Sequence, residues 1–532
     1  MTMLDNLESY LRQKHPQQEG HLWSPARPHN WAKLHQTPKI WGLPMTEEGV
    51  MDQTRNSVDN LANAMQRVIA SAKNVVDITS LDPPRGSSDS SSVFYNAIVN
   101  GIRDNQGAEG RPLLVRMLFG KPPKSGRDEV HEEFKNNLAR DLTRFPQVTV
   151  LYGVFYGTST GPIFNHSKIF ASDSGHAVVG GHNLYDSDYR QYPPVHDVSV
   201  EVLGPAAIDA RNFASYLWSF GIANQTSWSP LSMVRNNTST WILAWQLQGG
   251  TWTPAEESAL ARDEARYQEP SVLVSTTAPG DNWKQCRIMT VGRAGGWGHK
   301  FPNSLNASDY MKEFLISNAA TSIKIAHQDL VAMDMLGMTR MHHATCQDLG
   351  NALYNKPNLK VYVVVTAPYG SGVMDVYYNV DNGPQSAADY IMYYARPTIG
   401  TGKLRGVDDV ARVNLWDRLF VAPIHFTNDI PSPGDSHYYW PNANRVINAG
   451  GALAKEGMPK SVGQHMKTML IDDNLMVVGS DNHYPHPLAE INYVMEGDFV
   501  DEFKQQFWDN LWRYSGPHAV QQWNAATTIS GA

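Results

Sequence analysis

The chain has 532 residues, 42% of them hydrophobic and 18% charged, enough for more than one globular core and by default two domains of about 200 residues. A formal net charge of −8 without a basic run speaks against a nonspecific nucleic-acid binder. No stretch is apolar for long enough to span a bilayer, and two cysteines, Cys286 and Cys346, are too few for a disulfide framework. The first twenty residues, MTMLDNLESYLRQKHPQQEG, lack the apolar centre of a secretion signal, so a cytoplasmic, monomeric protein is expected, with signal-independent export as the alternative.

In chain order, residues 1–50 read as a short amphipathic helix around Leu4, Leu7 and Leu11, followed by a Trp- and Pro-rich coil that wraps the body. A helix over 50–72 leads into the strand NVVDITSL, and the turn-rich run Asp82-Pro83-Pro84-Arg85-Gly86 marks that strand's C-terminal edge. A helix over 93–105, the strand LLVRMLFG, a helix over 129–142 and the strand VTVLYG complete a β-α-β-α-β order. Residues 224–284, with NQTSWSP, NNTSTW and LQGGTWTP, read as a loop-rich connection. The order then returns: TSIKIAHQDL echoes NVVDITSLD, a helix over HHATCQDLGNALYN precedes the strand LKVYVVVTAPYG, and a helix over 387–394 precedes RLFVAPIHF. The duplication therefore covers a whole domain, with boundaries at 1–50, 51–223, 224–284 and 285–532.

Each half ends in the same spacing. The first copy is His166-x-Lys168, Asp173, Gly180-Gly181-x-Asn183; the second is His465-x-Lys467, Asp472, Gly479-Ser480-x-Asn482. A tyrosine follows at one offset in both, Tyr185 and Tyr484. Strand alternation puts each histidine and lysine on one face. With two-residue turns at Ser174-Gly175 and Asp473-Asn474, Asn183 would lie across from His166 and Asn482 across from His465. Asp173 and Asp472, at odd offsets, would point away and serve the turn or pair with a buried cation. Converging imidazole, ammonium and carboxamide groups suit an anionic oxygen cluster such as a phosphodiester, and two histidines can supply a nucleophile and a general acid.

This doubled HxKxxxxD…G(G/S)xN pattern resembles the signature of the phospholipase D superfamily. The segments LRQKHPQQEGHLW, QTPKIWG, VVDITSLDP, DVSVEVLGPAA, HQDL and GSDNHYPHPLAEINYVMEG are similar to counterparts in secreted actinobacterial phospholipases D, in order and over most of the chain. The resemblance implies two homologous α/β/α sandwich domains related by a pseudo-twofold axis, with the active site at their interface. It makes His166, Lys168, Asp173, His465, Lys467 and Asp472 the catalytic motif residues. Asn183, Asn482, Tyr185 and Tyr484 become substrate-binding residues, and the downstream acids Asp197 and Glu490 would orient the histidines. It also implies attack by the N-terminal histidine, a phosphohistidine intermediate, and neither metal nor other cofactor. The activity implied is hydrolysis of the distal phosphodiester of glycerophospholipids at a membrane or micelle surface, with transphosphatidylation. A superfamily nuclease is the alternative, disfavoured by the acidic balance.

Several positions depart from that pattern. Ile40 stands where the resembling segment has cysteine, and the low cysteine count resembles the signal-less murine-toxin branch. Asp481, His182 and Met466 occupy the variable motif positions, and Asp481 beside a phosphate pocket would favour a cationic headgroup such as choline. The loops 119–129 and 426–445 precede the motifs; Tyr438, Tyr439 and Trp440 in the second suit either a lipid-contact lid or packing against the body. The run Arg293-Ala294-Gly295-Gly296-Trp297-Gly298 lacks the Lys-Ser/Thr ending of a P-loop and reads as a plain loop near the cleft.

Overall fold

Thr2 caps the first helix, α1 (Met3–Lys14), through a capping box: its hydroxyl accepts from Asp5 N, and the Asp5 carboxylate accepts from Thr2 N. Leu4, Leu7 and Leu11 share one helix face and are buried. The computed structural model describes residues 1–44, 46–87, 89, 91–107, 110–120, 127–157, 163–223, 242–255, 283–294, 305–331, 344–366, 384–395, 398–399, 403–404, 415–427, 439–444, 459–483 and 488–520.

After α1 comes a long strand, β1 (Trp23–Thr37). The first half follows as α2 (Glu47–Ser71), β2 (Val75–Ser80), α3 (Val93–Gln106), β3 (Leu113–Gly120), α4 (Arg127–Leu142) and β4 (Val148–Gly157). It continues through β5 (Ile163–Asn165), β6 (Ile169–Ser172), β7 (His176–Gly180), α5 (Asp186–Tyr189), β8 (Asp197–Leu203) and α6 (Pro205–Ala223). A hairpin of β9 (Ile242–Gln248) and β10 (Thr251–Pro254) precedes the second half. That half holds β11 (Lys284–Arg293), α7 (Ala307–Asn318), β12 (Ser322–His327), α8 (Ala344–Asn355), β13 (Lys360–Val365) and α9 (Pro384–Tyr394). Two small ribbons, β14 (Thr398–Ile399) with β15 (Lys403–Leu404) and β17 (Tyr439–Asn444) with β18 (Pro459–Ser461), flank β16 (Leu419–Pro423). Last come β19 (Lys467–Ile471), β20 (Leu475–Gly479), β21 (Leu488–Glu496) and a helical run over 498–515.

The halves share one topology. In the first, β4, β3 and β2 are parallel, β6 lies antiparallel beside β2, and β7 and β8 extend the antiparallel side. In the second, β16, β13 and β12 are parallel, and β19, β20 and β21 follow in the same sense. Between them β8 pairs with β1, β1 with β11 and β11 with β21, so the strand order is a palindrome about the β1–β11 pair. The protein is thus two homologous α/β units about a pseudo-twofold axis. Parallel strands covered on both faces read as continuous apolar runs, and every residue of β3 is buried. Val76, Ile78, Val115 and Met117 pack with α2, α3 and α4, whereas Leu114 and Leu118 belong to the core that holds Phe213 and Leu217 of α6. Helices therefore cover both faces.

Two readings of the sequence need correction. The segment after α1 is not a wrapping coil: β1 supplies the central seam, pairing over 31–37 with β8 and over 23–32 with β11. Its first part pairs with one half and its last part with the other, so ladder hydrogen bonds take up backbone groups that a coil at this place would leave to water. The stretch 224–284 is also more than a connection, because β9 pairs with β4 along its length and caps that edge of the sheet.

Candidate active site

Both motif histidines lie just outside regular strand, and each is stitched to the opposite half. His166 N donates to Ala489 O (3.0 Å), while β5 runs parallel to the start of β21. His465 N donates to His196 O (2.7 Å), and His196 N to Gly463 O (3.1 Å). This exchange brings the two imidazoles together, with ring centroids 6.2 Å apart and planes at 68°.

The acids cross over in the same way. His465 Nδ1 donates to Asp197 Oδ2 (2.9 Å), and His166 Nδ1 bonds Glu490 Oε1 (2.8 Å). Each histidine is thus held by the carboxylate that follows the other motif. For His465 the tautomer is settled by a second contact, Gly181 O at 3.1 Å, because a carbonyl can only accept. The lysines reach back two residues along their own motifs: Lys168 Nζ donates to His166 O (2.6 Å), and Lys467 Nζ to His465 O. Asn183 and Asn482 are buried, and each has an Oδ1 without a partner among the described residues.

Burial governs the electrostatics. It lowers Lys168 to about 8 against the pull of Glu490, Asp197 and Asp82, and lowers Lys467 to about 7. His465 falls to about 4 through burial and the Lys467 charge, with Asp197 opposing. Burial alone would raise Asp197, but His182, His465 and Lys467 outweigh it and hold the carboxyl below its usual range. Glu490 goes the other way, pushed by burial up to about 8, since Lys168 and Arg293 offset only part of the desolvation.

The motif hairpins turn over three residues rather than two. Ala171 pairs with Ala177 and Ile471 with Leu475, which shifts the register by one from that expected and takes both asparagines out of direct opposition to their histidines. The extra loop residue is the motif aspartate or its neighbour. Gly175 takes a left-handed φ of 84°, as do Asp472 and Asp473 at 51° and 56°. Asp173 accepts from Lys73 N (2.7 Å) and Asn74 N (2.8 Å); Asp472 accepts from Ala320 N, Thr321 N and Ser322 N. These two aspartates tie the turns to the segment entering β2 or β12 through backbone N–H groups, away from the imidazoles. The motif glycines serve close approach: a Cβ on Gly180 would lie 2.2 Å from Ser199 Oγ, and one on Gly479 2.2 Å from Ile491 O.

Tyr185 is buried, donates to Asp82 Oδ2 (2.5 Å) and lies under the Arg85 guanidinium, 4.1 Å from its ring centre. Tyr484, residues 121–126 and 428–438, and Gly295 to Gly298 lie outside the described residues, as do the side chains of Tyr439 and Trp440. Asp481 does not line a phosphate pocket. It is fully buried among Arg293 (2.9 Å), Lys312 (3.1 Å), the Ser308 hydroxyl and Asn492 Nδ2 (3.3 Å). A charge already engaged on that side has no reason to select a headgroup, so the expected preference for a cationic one loses its ground.

Two contributors escaped the sequence reading. Arg293 belonged to a discounted glycine-rich run, yet its position opposite Glu490 on the neighbouring strand brings it to the base of the site. Tyr189, in GGHNLYDSDY, donates to Asp197 Oδ2 (2.9 Å). The unequal interval from asparagine to acid in the two copies could have pointed to it.

Among the described residues no helix is long and apolar enough to cross a membrane. No family model matches the chain. It is 25% identical over 534 residues to a phospholipase D of Streptomyces antibioticus, an alignment covering 96% of this chain and 87% of that protein. A crystal structure of phosphatidylserine synthase from Haemophilus influenzae Rd KW20 superposes with a TM-score of 0.49 at 10% identity, covering 98% of this chain and 93% of that one, a likeness too low to bear on function. With a relative aligned nearly end to end and the motif present in both of two equivalent halves, the chain is similar along its length to a phospholipase D.

Proposed function

We propose that this protein is a phospholipase D that cleaves the distal phosphodiester of glycerophospholipids of the phosphatidylcholine type, and transfers the phosphatidyl group to alcohols as well as to water. The observation that carries this reading is the pair of imidazoles 6.2 Å apart, each bonded to an acid from the opposite half. His166 attacks phosphorus and His465 protonates the departing headgroup oxygen, leaving a phosphohistidine. His465 then takes a proton from water or an alcohol, which displaces His166. Lys168, Lys467, Asn183 and Asn482 hold the non-bridging oxygens as charge builds there. The bound phosphate anion counters the burial and the Lys467 charge that strip His465 of its proton in the free protein.

Phosphatidylcholine with ethanol supplies the test. Phosphatidylethanol and free choline are the expected products, whereas activity confined to DNA would replace this reading with a nuclease. A location inside the cell and a monomeric state are parts of the same proposal.

The pH dependence follows from the shifted groups. Ionised Glu490 accepts from His166 Nδ1–H and leaves Nε2 bare for attack; protonated Glu490 donates instead and forces the wrong tautomer. Activity therefore rises as Glu490, raised to about 8, loses its proton. It falls as Lys467 and Lys168, lowered to about 7 and about 8, lose theirs and with them their hold on the phosphate. A profile of kcat, which reads the substrate-bound enzyme in which His465 keeps its proton, should show one narrow maximum near neutrality, and a flat plateau from about pH 5 to about pH 9 would contradict the assignment.

A further inference from the structure

Asp197 follows Asn183 by 14 positions, but Glu490 follows Asn482 by only 8. The longer interval in the first half includes the one-turn helix α5, whose last residue is the fully buried Tyr189. Its hydroxyl donates to Asp197 Oδ2 at 2.9 Å and accepts from Asn183 N at 3.1 Å. At the same distance from the second asparagine stands Leu488, which has no hydroxyl to offer.

The two acids are consequently held differently. Asp197 is saturated: Oδ1 accepts from Val198 N (2.9 Å), and Oδ2 from both Tyr189 and His465. Glu490 bonds His166 through Oε1, and its buried Oε2 has no hydrogen-bond partner among the described residues. The neighbouring Ser480 hydroxyl is engaged with the backbone of Ile491.

We propose that Tyr189 is a positioning residue that makes the two acid–imidazole pairs unequal, reserving Asp197–His465 for proton transfer and Glu490–His166 for attack on phosphorus. A carboxylate that already accepts a phenolic O–H and an amide N–H has little proton affinity left. It stabilises the His465 imidazolium by holding the Nδ1 proton in place, so the Nε2 proton goes to the leaving oxygen. Glu490, with one oxygen unoccupied, is the stronger acceptor and makes the imidazole it bonds more basic and more nucleophilic. Burial, reinforced by Asp197, holds the Tyr189 phenol well above its ordinary range, so it remains a donor throughout. Through Asn183 N the same hydroxyl couples a phosphate-holding residue to the imidazole from the other half.

This inference rests on the proposed phosphodiester chemistry, and its test separates the two. Tyr189→Phe removes one oxygen and keeps the ring. With short-chain phosphatidylcholine as substrate, kcat should fall roughly tenfold with KM little changed, the effect of one charge-assisted hydrogen bond acting through an acid–base group. With p-nitrophenyl phosphocholine, whose alcohol departs without a proton, the loss should shrink to about twofold or less. In an Asp197→Asn background the same substitution should cost little more, because its target has changed. Equal losses on both substrates, or fully additive losses in the double variant, would overturn the proposal. Titration of nitrogen-15-labelled histidines supplies a readout independent of turnover. The His465 ring signals should move in Tyr189→Phe while those of His166 stay; unmoved His465 signals would end the idea even if neither substrate were cleaved.

Discussion

His166→Ala is expected to lower phosphatidylcholine turnover by about four orders of magnitude, because it removes the nitrogen proposed to attack phosphorus. His465→Ala should be comparably inactive on that substrate, where the headgroup alcohol needs a proton to leave. The two variants should part company on p-nitrophenyl phosphocholine. With an acidic leaving group the first displacement no longer depends on His465, so His465→Ala should release a burst of nitrophenol and accumulate the phosphoenzyme. An acid-labile phosphohistidine signal in phosphorus NMR would then be present in His465→Ala and absent in His166→Ala. The opposite pattern would exchange the roles of the two histidines. Loss of nothing from either variant would refute the site.

Asp481→Asn is expected to destabilise the protein by about 3–5 kcal/mol, because it leaves two buried cations facing a neutral amide. Arg293 lies 2.9 Å and Lys312 3.1 Å from the Asp481 carboxylate, and all three side chains are buried. Asp309 shares Lys312 at 2.8 Å, so one negative charge would remain for two positive ones. Burial by itself would raise Asp481, and the two cations outweigh it and keep the carboxyl below its ordinary range. The stability it contributes is therefore complete above the ordinary carboxylate pKa and is lost as pH falls through the lower, folded value. Denaturant unfolding at neutral pH reads the cost directly. Retained stability together with an altered choice between phosphatidylcholine and phosphatidylglycerol would restore Asp481 to the headgroup pocket and refute its structural role.

Asp481 also shows where reading residue by residue stops. It sits between Ser480 and Asn482 of the motif, and nothing local says that its side chain leaves the cleft. The three-residue turn at 472–474 and the pairing of β20 with β21 direct it instead toward β11 and α7. The aspartates at 173 and 472 illustrate the converse. Their odd offset from the histidines is a property of strand alternation, legible without any partner, and the carboxylates do lie on backbone N–H groups at the far end of the hairpins.

Repetition and periodicity are local, so the sequence by itself determined the duplication, the matching order of helices and strands in the two halves, and the side of the hairpin that the motif aspartates take. Only the tertiary structure decided that the N-terminal segment becomes the central strand, that each acid serves the other half's histidine, and that Tyr189 braces one acid alone. The acid–histidine bonds join residues separated by 268 positions for Asp197 and His465 and 324 for His166 and Glu490. A hydrogen bond between such distant residues leaves no period in the chain. It exists because β5 lies parallel to the start of β21 and His196 bridges Gln464 in the same sense, a placement set by the whole sheet.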